Sequence, residues 1–180
     1  MILFLHGAGV DADYLTPEAY PLLRRLMGLL PQDTHLSAPL IEGDWLAALD
    51  RHLGPLGAGD TVVAHSHGGA MALKWIAERA RGKRLGRFVG CAMPMWGEPD
   101  WEMADLALPP DAGAAFGGLG AVTLLQAEDD ATVAPSHLAL YAALLPGAAV
   151  HRVPRGDHDL DDDAVDTVLA RALGPGGVSG

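Results

Sequence analysis

The sequence predicts an α/β fold, with about six parallel strands in one sheet and helices on both faces, an α-β-α sandwich. Three observations lead there. Short apolar runs recur along the chain without polar alternation, as expected of parallel strands covered on both sides. Longer amphipathic stretches lie between them, which makes the repeating unit a right-handed βαβ crossover. A length of 180 residues suits one domain whose core needs no covalent staples.

The elements follow in order. The first strand is "MILFL" (1–5), ending at the turn "HGAG". A helix over "YPLLRRLMGLL" comes next, with Tyr20 kept out of it by Pro21. "THLSA" (34–38) is a weaker strand. "DWLAALDRHL" is a helix with Asp44 as N-cap and Trp45, Leu46, Leu49 and Leu53 on one face. The strand "DTVVAH" (60–65) runs into the helix "GGAMALKWIAERARG", which places Ala72, Trp75, Ile76 and Arg79 along a stripe. "RFVGCAM" (87–93) and "AVTLLQA" (121–127) are the fourth and fifth strands. Residues 94–120 between them break the rhythm. They form an irregular loop rich in Pro, Gly and Trp, with one short helix around "WEMADL". "PSHLALYAALLPG" is a helix opened by Pro135 and stopped at Pro146-Gly147. The sixth strand is "AAVHRV" (148–153), and the last helix, "DDAVDTVLARAL", carries acids in its first turn. The domain is expected to span 1–173, with 174–180 a flexible tail.

Composition narrows the classes of function. A formal charge of −11 opposes a nucleic-acid or anionic-membrane partner, which calls for a basic footprint. No apolar run reaches the ~18–20 residues of a membrane span. "MILFL" lacks the basic region and long apolar core of a secretory signal, so the expected location is cytoplasmic. Cys91 is the one cysteine, which rules out an internal disulfide, and it reads as a buried structural thiol.

The chemistry should lie at the carboxyl ends of the strands. There "AHSHGG" sets a serine at a strand-to-helix turn, with small residues, Ala64 and Gly68, two positions to either side. This is the pattern of a nucleophile elbow, with alanine in place of the usual first glycine. Serine needs a base, and the base needs an orienting acid. "QAEDDATVAP" follows the fifth strand and "PRGDHDL" the sixth. Ser66 is therefore assigned as nucleophile, Asp130 as acid, with Asp129 as its alternative, and His158 as general base. Glu128 is expected to face solvent, and the acidic run 157–163 beyond His158 to be a solvated helix start. An oxyanion would be held by the backbone N–H of His67 and that of Ala8, with Gly9 as alternative to Ala8.

In this order and at strand ends, "LHGAG", "AHSHGG", "EDDATVAP" and "GDH" resemble an α/β-hydrolase over almost the whole chain. Within that superfamily the sequence is similar to the small retinoblastoma-binding-protein-like serine hydrolases, with compact bacterial esterases and lipases beside them. Their Trp-rich segment and Asp-Asp pair correspond to "MWGEPDW" and Asp129-Asp130, although Ala131 stands where that group has Pro. The resemblance implies a minimal six-stranded sheet and acyl hydrolysis, and it fixes no substrate.

The expected function is cleavage of carboxylic esters or thioesters of small to medium size, through an acyl-enzyme and without a cofactor. Gly7, Gly9, Met95, Trp96 and Trp101 are candidates for the substrate pocket. Packing of a long loop is the competing account of Met93, Met95 and the two tryptophans. A catalytically silent hydrolase-like binding module is an alternative of a different class. A metal-dependent hydrolase using His6, His65 and His67 is another, but Gly68-Gly69 stand where the acid should follow the H-x-H pair. On the first reading His6 shapes the oxyanion loop, His65 packs beneath the elbow and His67 edges the pocket.

Overall fold

Among the described residues six strands run parallel in one sheet, the third, fourth, fifth and sixth following the first on one side and the second lying on its other side. They are β1 (Ile2–Leu5), β2 (Leu36–Ser37), β3 (Thr61–His65), β4 (Leu85–Cys91), β5 (Leu119–Ala127) and β6 (Ala149–Val153). The helices are α1 (Pro21–Leu29), α2 (Trp45–His52), α3 (His67–Arg79), α4 (Ser136–Leu144) and α5 (Asp163–Leu173). The computed structural model describes residues 1–174. The expected tail therefore lies, from 175 onward, outside the described residues, while Gly174 accepts a hydrogen bond from Arg87.

The sheet is apolar on both faces because successive side chains point to opposite sides. Leu3, Leu5, Val62, Ala64, Phe88 and Leu124 pack under α2, α3 and α4. Phe4, Val63, Val89, Leu125 and Val153 pack under α1 and α5. Tyr20 stands before Pro21 in extended conformation, and the Asp44 side chain caps α2 by accepting from the Ala47 N–H at 3.0 Å.

Three expectations change. Helix α3 is buried along the whole of 68–77 and Arg79 is exposed, so the predicted stripe ending at Arg79 is absent. The helix is enclosed by the sheet, by α2 and by the segment before β5, which leaves it no solvent face until its last turn. The strand β5 begins at Leu119, two residues earlier than expected, and so shortens the irregular loop. That loop holds two 3₁₀ turns, Ala104–Leu106 and Ala112–Gly118, where one short helix was expected. The second carries Ala112, Ala115 and Phe116 into the core. Alanine and glycine carry little periodic signal, and this segment was unreadable for that reason.

The chain leaves β1 for β2 on one side and later returns to β3 on the other. The carboxyl ends of β1 and β3 therefore flank the point where strand order reverses, the place where open α/β sheets bind ligands. No helix among the described residues is long and apolar enough to cross a membrane.

Candidate active site

The turn after β3 is sharp. Ser66 has φ 51° and ψ −124°, a conformation that a non-glycine residue adopts only when its surroundings impose it. The imposition is visible. The Ser66 N–H donates to the Cys91 carbonyl at 2.8 Å. Helix α3 starts at once and lies so close to β1 that a Cβ at Gly68 would press into the His6 carbonyl and come within 3.0 Å of the Leu5 carbonyl carbon. A Cβ at Gly69 would come within 2.7 Å of the Met93 side chain. The glycines after the serine are thus a packing requirement. Ala64 is fully buried where the motif usually has glycine.

Three side chains from three loops meet here. The Ser66 hydroxyl lies 3.0 Å from His158 Nε2, and His158 Nδ1 lies 3.0 Å from Asp130 Oδ2. A carboxylate only accepts, so Nδ1 carries the hydrogen and Nε2 offers a lone pair to the serine O–H. Asp130 is 5% exposed. Its Oδ1 accepts the N–H groups of Thr132 and Val133 at 2.9 and 2.8 Å, and its Oδ2 also accepts from Gln126 Nε2 at 2.6 Å. Asp129, the alternative acid, is exposed and turned away, and its Oδ1 accepts the Asp157 N–H at 2.9 Å. Asp157 holds φ 51° and accepts the His158 N–H at 2.8 Å, which fixes the chain beside the imidazole. Glu128 is exposed.

The backbone donors expected for an oxyanion lie in the turns that follow β1 and β3. Among the described residues no hydrogen bond uses the N–H of His67, Ala8 or Gly9. His67 is the first residue of α3, where an unpaired N–H favours negative charge. The N–H of Gly7 is taken by the Tyr20 hydroxyl at 2.9 Å, so Gly7 supplies no donor to a ligand. Its α-carbon instead packs toward Ser66, since a Cβ there would stand 3.5 Å from the Ser66 Cβ.

The histidines diverge. His6 Nε2 accepts the Ile41 N–H at 2.8 Å, and its Nδ1–H donates to the Gly7 carbonyl at 2.6 Å. His65 is buried beneath the elbow, its Nδ1 against the Tyr20 hydroxyl and its Nε2 2.8 Å from the His158 carbonyl. His67 turns the other way, between Trp45 and Trp96, at ring-centre distances of 4.9 and 5.7 Å. Burial holds His65 and His67 at pKa values of about 4, with neighbouring histidines adding to the effect. Both ring nitrogens of His6 and of His65 are spent on protein partners. Among the described residues no three His, Cys, Asp or Glu side chains converge on a metal position.

The tryptophans extend this row. Trp96 meets Trp101 edge-on at 4.8 Å, and Trp101 meets His137 at 6.2 Å. Met95 is 8% exposed, lies in the core and donates its N–H to His137 Nδ1 at 2.8 Å. It contributes less surface to a ligand than the sequence suggested. Cys91 is buried, and burial pushes its thiol up to about 12. The sequence offers Tyr20 and Trp45 only at the starts of helices, and marks neither Gln126 nor His137 as part of the site. Gln126 leaves a signal, as the one amide in the largely apolar run of β5.

No family model matches the chain, and no curated protein matches it in sequence. Solved structures do resemble it. The ydeN gene product from B. subtilis aligns with a TM-score of 0.75 at 19% identity, over 93% of this chain and 95% of that one. The thioesterase domain from the curacin biosynthetic pathway gives 0.65 at 14% identity, over 93% and 90%. Esterase PE8 gives 0.65 at 18% identity, over 94% and 89%. The chain has the α/β-hydrolase fold.

Proposed function

We propose that this chain is a serine hydrolase that cleaves carboxylic esters or thioesters through an acyl-enzyme. One observation carries the reading. An unbroken hydrogen-bonded series joins Ser66, His158 and Asp130, and the N–H of His67, the next residue after Ser66, makes no hydrogen bond among the described residues. A serine that served only as a helix cap would need neither the imidazole nor the buried carboxylate behind it. Ser66 in fact makes no side-chain capping bond to α3.

In the reaction the Ser66 oxygen attacks the acyl carbon while His158 Nε2 takes its proton. The resulting imidazolium donates through Nδ1 to Asp130, whose charge and fixed orientation stabilise it. The N–H of His67 and that of Ala8, or of Gly9 beside it, receive the oxyanion. Each such donor is worth about 2.7–4 kcal/mol of barrier. The imidazolium then protonates the leaving alkoxide or thiolate. Water, deprotonated by the same nitrogen, cleaves the acyl-enzyme by the reverse sequence. Trp96, with Trp101 behind it, walls the side of the site next to His67 and suits an apolar acyl or alcohol group. Similarity to structures named as an esterase and a thioesterase domain supports the substrate class.

The test is pre-steady-state hydrolysis of p-nitrophenyl esters of increasing acyl length. A burst of one equivalent per chain is expected, and Ser66→Ala should lower turnover by at least about a thousandfold. Turnover left unchanged by Ser66→Ala would refute the proposal. A folded wild-type protein that binds these esters without cleaving them would favour the binding-module reading.

A further inference from the structure

We infer that Tyr20 and His65 are positioning residues that tie the glycine-rich loop after β1 to the backbone of the base, His158. The inference rests on the serine-hydrolase reading above and adds two residues to its machinery.

The path is buried from Gly7 through Tyr20 to His65, half-buried where it reaches His158, and has only one direction. Gly7 donates its N–H to the Tyr20 oxygen at 2.9 Å. Tyr20 is in hydrogen-bond contact with His65 Nδ1, and His65 Nε2 lies 2.8 Å from the His158 carbonyl oxygen. A carbonyl oxygen only accepts, so His65 must carry its hydrogen on Nε2. Its Nδ1 is then a lone pair, and the Tyr20 O–H donates to it. The Tyr20 oxygen keeps its remaining acceptor capacity for Gly7. Every polar atom between the two loops is satisfied, and reversing any one bond leaves a buried group unpaired, at about 1–3 kcal/mol. Tyr20 is 2% and His65 2% exposed, so water cannot substitute.

Both ends of this path touch the chemistry. Gly7 packs against Ser66 and precedes Ala8, whose N–H is a candidate oxyanion donor. The His158 carbonyl belongs to the residue whose ring must reach Ser66 and Asp130 together. That residue follows two unusual backbone conformations, Gly156 at φ 132° and Asp157 at φ 51°, and a loop of this kind needs an external anchor to hold one geometry. The rings of His65 and His158 stand 4.9 Å apart. A neutral His65 leaves room for the positive charge that His158 takes up during attack, and burial beside His158 keeps His65 neutral. Tyr20 is itself wedged edge-on against Phe4 at 5.4 Å, which fixes its hydroxyl without using a further polar group.

The experiment has a spectroscopic arm and a kinetic arm. Side-chain nitrogen correlation spectra of histidine-labelled wild-type protein should show His65 as the neutral Nε2–H tautomer between about pH 6 and 8. A neutral Nδ1–H tautomer or a charged ring overturns the inference. In the kinetic arm, Tyr20→Phe keeps the ring packing and removes the hydroxyl. It should lower kcat for a p-nitrophenyl ester about 10–100-fold with KM little changed, because a misplacement of donors and base acts on the transition state. His65→Gln, which keeps an N–H toward His158, should recover part of the activity lost in His65→Leu. A Tyr20→Phe enzyme with wild-type kcat, or Gln and Leu variants of equal activity, would overturn the positioning role while leaving the hydrolase reading intact. A wild-type protein with no hydrolysis and no acylation of Ser66 would remove the hydrolase reading itself. The tautomer measurement tells the two failures apart.

Discussion

Replacing Asp130 by asparagine removes one charge and keeps the shape, and the surroundings dictate which way the new amide faces. Two backbone N–H groups, of Thr132 and Val133, donate to Oδ1. The amide oxygen must stay there, because a turned amide would set its NH₂ against two donors. The NH₂ then occupies the Oδ2 position, facing His158 Nδ1 and Gln126 Nε2. Gln126 cannot simply reverse, since its own NH₂ also donates to the Val133 carbonyl at 3.0 Å. The asparagine therefore donates to His158 Nδ1 and moves the ring hydrogen to Nε2, which points it at Ser66. The serine proton has nowhere to go, and the imidazolium loses its counter-charge. The expected loss in kcat is about 10³–10⁴-fold, or about 4–5.5 kcal/mol of barrier, with KM little changed. Steady-state hydrolysis of a p-nitrophenyl ester measures it, and near-ultraviolet circular dichroism confirms folding. Asp129→Asn should cost less than about tenfold, since that carboxylate reaches only the Asp157 backbone. Glu128→Gln should leave turnover within about twofold. An Asp130→Asn enzyme within about tenfold of wild type would refute the reasoning, as would a larger loss in Asp129→Asn.

Three further outcomes are expected. Gly68→Ala should lower the unfolding free energy by about 1–3 kcal/mol in a urea titration, because backbone atoms of Leu5 and His6 occupy the space for the methyl group. It should also reduce turnover by distorting the elbow. Acid should destabilise the fold through His65, whose pKa is held at about 4 in the native state against 6.5 when exposed. The unfolded chain binds the extra proton in that window, so stability is full above about pH 6.5 and falls as pH drops toward 4. The slope is up to about 1.4 kcal/mol per pH unit from this group. His65→Gln should reduce the dependence of the urea midpoint between pH 6.5 and 4, leaving the share that His67 contributes. Trp96→Ala should raise KM about tenfold for esters with bulky acyl groups and much less for acetyl esters, a difference read from a chain-length panel.

The central strands were legible because burial on both faces leaves short apolar runs such as Val62–Ala64 and Leu124–Leu125, bounded by turn residues. The stripe assigned to α3 failed because small residues let that helix be enclosed all round, and periodicity carries no information about an enclosed helix. At the site, Ser66 was readable from its strand, its flanking small residues and the helix behind it. The choice between Asp129 and Asp130 was not, because it depends on how the turn after β5 directs two adjacent side chains. The structure brings Asp130 to His158 through its hydrogen bonds with the Thr132 and Val133 backbone. Tyr20 is legible as the residue before Pro21, but nothing in the sequence ties it to the site. Its partner His65 lies 45 residues away, and they meet because Tyr20, at the start of α1, packs against Phe4 of β1, the strand that pairs with β3.

The central claim is that Ser66 is a nucleophile made reactive by His158. Treating the folded protein with a fluorophosphonate and mapping the modified peptide by mass spectrometry tests it most directly. A single adduct on Ser66 is expected, lost in Ser66→Ala and greatly slowed in His158→Ala. A folded protein that stays unmodified, or carries the adduct on another residue, would contradict it.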